Sequence, residues 1–282
     1  MRFPLKFVPI NNEGIRAGYY AAPMVRVRLL QVESNDSESV EMRIERVLAD
    51  MAAHAAATDF LVLPELWHVG AFNLNGARDF AQPHDGPLIT ALSAIASSTA
   101  TWIHAGSVAV RAADGSTTNT ALVFNPRGEL AGEYKKQHLF GFADGERTVM
   151  TAGEEYVVID TPLGKTGLAT CYDLRFPELF RALTDRSAQT FLICAGWPTP
   201  RISHWDVLAQ ARAIENQAFV IACNGRGSHA GVTLGGHSIV VNPRGDVVAI
   251  ASQTDEFIDA EIDIAMVDQW RESFPVLADR RK

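Results

Sequence analysis

Between Ser37 and about Thr58, Val40, Met42, Val47, Leu48 and Met51 recur at helical spacing and the segment ends Ala-rich, which predicts a long amphipathic helix. The next run, Asp59-Phe-Leu-Val-Leu-Pro, is continuously apolar and too short for a helix, so it predicts a buried strand. The pattern then repeats. Pro87 to Ser98 predicts a second helix, followed by strands at Trp102-Ile-His-Ala-Gly-Ser-Val-Ala-Val, Thr120-Ala-Leu-Val-Phe and Glu129-Leu-Ala-Gly-Glu-Tyr. Asn125-Pro-Arg-Gly is the hairpin turn between the last two. A strand ending at Cys171 is followed by a helix over Pro177 to Thr184 and a strand over Gln189-Thr-Phe-Leu-Ile-Cys-Ala. His204 to Gln217 predicts another helix, and Ala218-Phe-Val-Ile-Ala-Cys the next strand. His237 to Asp263 reads as a final meander with Asn242-Pro-Arg-Gly as its turn.

Continuously apolar strands between amphipathic helices imply an α/β fold in which helices cover the sheets. The pattern alone does not separate three layers from four. No change of composition marks a second domain after residue 24, so 24–282 reads as one unit. Residues 1–23 read differently. Prolines and a lysine interrupt Met1-Arg-Phe-Pro-Leu-Lys-Phe-Val-Pro-Ile where a signal peptide needs an unbroken apolar core. That segment is expected to be a poorly ordered extension with no catalytic role.

Charge and cysteine content narrow the class. A formal net charge of −8 argues against a nucleic-acid surface. No apolar run approaches the roughly 20 residues that span a bilayer. Three cysteines in 282 residues do not make a disulfide scaffold, which points to a reducing, cytoplasmic compartment. His68, His138 and His204 have no metal-ligand spacing, so no metal is expected, and no phosphate-binding glycine loop is present.

The candidate chemistry lies at strand ends. Cys171 closes the apolar run Lys165-Thr-Gly-Leu-Ala-Thr and precedes a Pro-led helix start, which puts a nucleophilic atom where a site can form. A thiol nucleophile needs a base and nearby positive charge. Glu65 ends Leu-Val-Leu-Pro-Glu, where partial desolvation favours general-base use; the bland alternative is a solvated loop glutamate. Lys135 and Lys136 are neighbours, so in a strand only one of them can face a site. Cys194 and Cys223 sit inside apolar strands and read as small buried hydrophobes. The thiol lacks the Gly-x-Cys-x-Gly setting of a nucleophile elbow, which weighs against an α/β-hydrolase. Arg175 could bind a substrate carboxylate through its fork, or pair with Asp173 or Glu178. Trp197 could wall a pocket or belong to the core.

Several segments, in order, resemble the nitrilase superfamily of carbon–nitrogen hydrolases: Asn119-Thr-Ala-Leu-Val-Phe-Asn-Pro-Arg-Gly, Tyr134-Lys-Lys-Gln-His-Leu-Phe, Cys171-Tyr-Asp-Leu-Arg-Phe-Pro-Glu, Ala211-Arg-Ala-Ile-Glu-Asn-Gln and Gly236-His-Ser-Ile-Val-Val-Asn-Pro-Arg-Gly. The resemblance runs from about Val25 to Arg281 and implies a four-layer α-β-β-α sandwich. It implies Cys171 as nucleophile, Glu65 as base and Lys136, two residues before His-Leu, as the catalytic lysine. The Tyr172 N–H would assist Lys136 at the oxyanion. Glu146 has the spacing of a substrate-positioning glutamate, with Asp144 as competitor. No cofactor is implied. The substrate would be a small linear amide, in the manner of ω-amidases; N-carbamoyl amino acids and nitriles are the alternatives, and an idle fold serving as a scaffold is the alternative of another class. A homodimer or higher even-numbered oligomer is implied through the helices Pro177 to Thr184 and His204 to Gln217. The second offers Trp205, Leu208, Ala209, Ala213 and Ile214, and Trp270 to Leu277 would reach across to the partner.

Overall fold

The computed structural model describes residues 24–281; the expected extension over 1–23 lies outside them. In chain order the strands are β1 Val25–Leu30, β2 Glu33–Ser34, β3 Phe60–Val62, β4 Trp102–Arg111, β5 Thr117–Phe124, β6 Leu130–Lys135, β7 Val158–Thr161, β8 Gly164–Thr170, β9 Thr190–Ala195, β10 Phe219–Asn224, β11 Arg226–His229, β12 Val232–Thr233, β13 Ile239–Val241, β14 Val247–Ile250 and β15 Phe257–Ile262. The helices are α1 Val40–Ala55, α2 Leu74–Asp79, α3 Pro87–Thr99, α4 Pro177–Asp185, α5 Ile202–Asn216 and α6 Ala265–Ser273.

Two six-stranded sheets, ordered β15-β1-β3-β4-β5-β6 and β14-β13-β10-β9-β8-β7, lie face to face. Period-two alternation divides their side chains. Val27, Leu29, Phe60, Val62, Ala121 and Val123 fill the space between the sheets, where they join Leu168. Their neighbours Leu30, Leu61, Leu122 and Phe124 face the other way, onto Val47 and Met51 of α1 and Leu92 and Ala96 of α3. Phe180 and Leu183 of α4 and Trp205, Ala209 and Ala213 of α5 belong to the core that includes the second sheet. The result is the four-layer α-β-β-α sandwich.

Each long helix is delimited by local chemistry. The Ser39 hydroxyl accepts the Met42 N–H at 3.2 Å and starts α1. Pro87 occupies the first turn of α3, and Ala100 ends it in the left-handed region at φ 52°. The buried stripe of α1 is Arg43, Val47, Met51 and Ala55, at intervals of four. Met42, counted in the stripe on sequence, points to solvent, and Arg43 takes the buried position by donating to Glu38 and, at 2.8 Å, to the Asn35 carbonyl.

Four expectations are corrected. The final segment is no simple meander: β13 and β14 close one sheet, and the chain then crosses so that β15 pairs antiparallel with β1 of the other. Helices α2 and α6 and strand β7 were not foreseen, because short polar elements carry little periodicity. Trp205, Ala209 and Ala213 are buried under their own sheet and leave Val207 and Ile214 as the exposed apolar residues of α5. Trp270, expected to reach a partner, packs within its own chain against Phe274 and the Arg244 guanidinium. No helix among the described residues is long and apolar enough to cross a membrane.

Candidate active site

In both sheets the parallel strands end on the same side, where an α/β fold opens a crevice. Glu65 follows β3, Lys136 follows β6, Cys171 follows β8 and Gly196 follows β9. The structure brings them together. The Lys136 Nζ lies 2.7 Å from Glu65 Oε1 and 2.8 Å from Glu146 Oε2. Cys171 faces this cluster, lining the same cleft as Glu65, Lys136 and Glu146. Lys135, one residue away, is exposed, and its Nζ is 3.9 Å from Glu133. Strand alternation therefore separates the two lysines as expected. Of the two competing carboxylates, Glu146 is buried in the cluster, while Asp144 lines the cleft.

Cys171 sits at a strained elbow. Its φ of +48° is left-handed, which costs a non-glycine residue roughly 1–2 kcal/mol. Asp173 holds it there. Its carboxylate accepts the Thr170 N–H at 2.9 Å and the Tyr134 hydroxyl at 2.7 Å on Oδ2. On Oδ1 it takes the His138 N–H at 3.0 Å, with His138 Nδ1 at 2.7 Å. One buried carboxylate thus ties the Cys171 turn to the loop beyond Lys136, and His138 steadies that loop. A strand-to-turn elbow exists here without the flanking glycines that sequence reasoning looked for.

Glu65 is held from several sides. The Gly196 N–H donates to its Oε2 at 2.9 Å, and Asn119 Nδ2 donates to its Oε1 at 2.8 Å. Asn119 Nδ2 also reaches Glu146 Oε1 at 3.1 Å. Glu146 closes its own loop: its carboxylate accepts the Phe140 N–H, and its N–H donates to the Phe140 carbonyl at 2.8 Å. Sequence reasoning missed Asn119, Gly196 and Asp173 as parts of the site. A glycine at 196 was readable only from space, since a Cβ there would meet the Ala71 Cβ at 2.2 Å.

The charges follow from burial. Two carboxylates share one ammonium, and the Cys171 thiol is beside them. Burial opposes a charge on Lys136, but the Glu146 and Glu65 carboxylates outweigh it and hold the ammonium well above its ordinary range. Burial, then the nearby Glu65 charge, pushes the Glu146 carboxyl up against the pull of Lys136. Burial and the Glu65 charge push the Cys171 thiol well above the usual thiol range, and Lys136 offsets only part of this. A thiolate favoured by Lys136 is thus not the resting state. The surroundings favour a neutral thiol that loses its proton as it attacks. Burial raises Cys194 to about 12 and Cys223 higher still, in keeping with their role as small core residues.

The cluster forms the floor of a cleft of about 560 Å³ walled by Phe72, Phe140, Phe142, Ala230 and Val232. A narrow branch leads past Cys171 to Tyr172, Trp197, Arg175 and Arg201. Arg175 pairs with neither Asp173 nor Glu178. Its guanidinium lies 4.7 Å from the centre of the Trp197 ring, with His204 Nδ1 at 3.4 Å. Trp197 serves both readings, as wall of the branch and as a buried ring 5.5 Å from Trp205. Tyr172 packs edge-on against Phe140 and Phe176. No cluster of metal-ligating side chains occurs among the described residues.

Comparison with known proteins agrees with this arrangement. The chain is 40% identical over 262 residues to a 2-oxoglutaramate amidase of Paenarthrobacter nicotinovorans, covering 90% of this chain and 89% of the relative. It is 39% identical over 224 residues to a 2-oxoglutaramate amidase of Bacillus subtilis, covering 79% and 85%. The crystal structure of Saccharomyces cerevisiae Nit3, a member of branch 10 of the nitrilase superfamily, superposes with a TM-score of 0.83 at 27% identity over 92% of this chain and 97% of that one. The model of the carbon-nitrogen hydrolase family matches residues 26–272. With that match spanning nearly the whole chain, the protein belongs to the carbon-nitrogen hydrolase family.

Proposed function

We propose that the chain is an ω-amidase-like amidase that opens the C–N bond of a small linear amide through a thioester on Cys171. The observation that carries this reading is the Lys136 ammonium 2.7 Å from Glu65, with the Cys171 thiol lining the same cleft. Glu65 takes the thiol proton as sulfur bonds to the amide carbon, and the carbonyl electrons move onto oxygen. Lys136 and the Tyr172 N–H stabilise that oxyanion. As the intermediate collapses, the C–N bond breaks, Glu65 returns the proton to nitrogen and ammonia leaves. Water then adds to the thioester, giving up a proton to Glu65. The C–S bond breaks, the thiol is restored and the acid departs. Glu146 positions the amide nitrogen and Lys136. No cofactor takes part.

The relatives' names point to the amide of a keto dicarboxylic acid as substrate. Arg175 supports this choice. It lies along the branch from Cys171, against Trp197, with no carboxylate partner, and a guanidinium there suits a distal carboxylate. The unit doing this chemistry is 24–282, in a reducing, cytoplasmic compartment suited to three free cysteines. A two-fold pair forms across the outward face of α5, where Val207 and Ile214 are exposed.

The test is ammonia release from ω-amides of keto dicarboxylic acids, N-carbamoyl amino acids and nitriles. The reading expects the ω-amides to show the highest kcat/KM and Cys171→Ala to release none. No release from any ω-amide, or equal release by Cys171→Ala, overturns it.

A further inference from the structure

Asn119 lies on β5, fully buried, opposite Ala109 of β4. Its backbone carbonyl accepts the Lys136 N–H at 2.9 Å. Its side chain does something separate. Nδ2 donates to Glu65 Oε1 at 2.8 Å and to Glu146 Oε1 at 3.1 Å. The Lys136 Nζ contacts the same two oxygens, at 2.7 and 3.0 Å. Two donors therefore clasp two acceptors, one donor charged and one neutral. Two carboxylates this close repel, and a single ammonium does not supply enough donors for both. The amide fills the shortfall without adding charge. Its orientation follows from the partners, because turning it over would set Oδ1 against two anions. Oδ1 has no partner, so the amide is held only by the carboxylates and not by a network of its own.

The consequence concerns the base. With Oε1 of Glu65 occupied by two nitrogen donors, Oε2, which accepts the Gly196 N–H alone at 2.9 Å, is the oxygen with room for a proton, and Glu65 and Cys171 line the same cleft. We propose that Asn119 is a positioning residue of the reaction: its amide holds the two carboxylates side by side and directs proton transfer to Glu65 Oε2. This rests on the reading of Cys171 and Glu65 given above. The charged and titratable groups facing the pair are Lys136 after β6, Cys171 after β8 and, behind it, Cys194 of β9. Removing a donor from an ionised carboxylate favours its protonated form. The base must be ionised to work, so the acid limb of kcat/KM moves to higher pH.

The experiment follows ammonia release from an ω-amide between about pH 5 and 9 for the intact protein, for Asn119→Asp, which is nearly isosteric, and for Asn119→Leu, which cannot donate. Loss of a hydrogen bond to a charged group predicts a fall in kcat of roughly ten- to a hundredfold for Asn119→Leu, with KM within about twofold. Its acid limb should rise by about one pH unit, and that of Asn119→Asp, which adds a third carboxyl, by more. A variant that melts like the wild type yet keeps the wild-type acid limb overturns the proposal, as does a loss confined to KM. If Asn119→Leu fails to fold, Asn119→Asp decides alone. Cys171→Ala separates the two claims: activity surviving there refutes the reading of the site, whereas a dead Cys171→Ala beside unshifted Asn119 variants refutes only the role of Asn119.

Discussion

Lys136→Met removes the only cation from a buried cluster and keeps the length of the side chain. In the native protein the Lys136 side chain is 1% exposed and bridges Glu65 and Glu146, themselves 3% and 5% exposed. Breaking a buried ion pair by removing one partner costs about 3–5 kcal/mol, because the other charge is left without compensation. Here two carboxylates are left, so the upper part of that range applies where both are ionised. The loss must depend on pH. Glu146 is already raised in the folded state, mainly by burial, and without Lys136 the opposing influence is gone. A carboxyl raised on folding contributes stability below its unfolded value, about 4.3, and loses it as pH climbs through the folded value. Urea denaturation of Lys136→Met should therefore show a small deficit near pH 5 and a deficit growing by several kcal/mol toward pH 8. Activity should fall at least 10²–10³-fold in kcat, the usual loss for one oxyanion donor. Lys135→Ala is the control: its ammonium is half exposed and 3.9 Å from Glu133, so stability changes by well under about 1 kcal/mol and kcat stays near wild type. A deficit in Lys136→Met that does not vary with pH would refute the electrostatic argument. A larger kcat loss in Lys135→Ala would refute the register.

Other measurements test neighbouring claims. Iodoacetamide should label Cys171 before Cys194 or Cys223, because Cys171 retains 8% exposure and the others none, and labelling should quicken with rising pH since the thiol is held neutral; first labelling of Cys194, with activity lost in step, contradicts this. Gly196→Ala forces the Ala71 side chain aside and displaces an N–H from Glu65, so kcat should drop while a wild-type rate would show that the close approach has no bearing on the base. Light scattering at micromolar concentration should give a dimer or a multiple of it, weakened by Ile214→Asp, and a mass of 30.7 kDa would refute pairing.

The strand-ending runs before Glu65 and Cys171 marked a candidate thiol and carboxylate, because apolar strands and a terminal polar residue are visible one segment at a time, while the choice of Lys136 over Lys135 came from the family resemblance. Asn119 was in plain view, inside a quoted motif, yet carried no chemical signal. An asparagine in a strand gains a role only when the end of β3 and the loop beyond β6 bring two carboxylates to its amide. Asp173 was weighed only as a partner for Arg175, and it proved to hold the Cys171 turn and the His138 loop instead. The crossing of β15 to the other sheet was missed for a related reason: its partner is far away in sequence, as the pairing of Val25 with Ile262 illustrates.

What the sequence determined by itself was therefore the periodicity of the elements, the alternation that sets Lys135 and Lys136 on opposite faces, and the identity of a thiol, a carboxylate and an ammonium at strand ends. These depend on local geometry, which a short window contains. Only the tertiary structure decided the charge state of the site. The ionisation of Cys171, Glu146 and Lys136 depends on burial and on distances between residues dozens of positions apart, and those distances exist only once the two sheets have closed over one another.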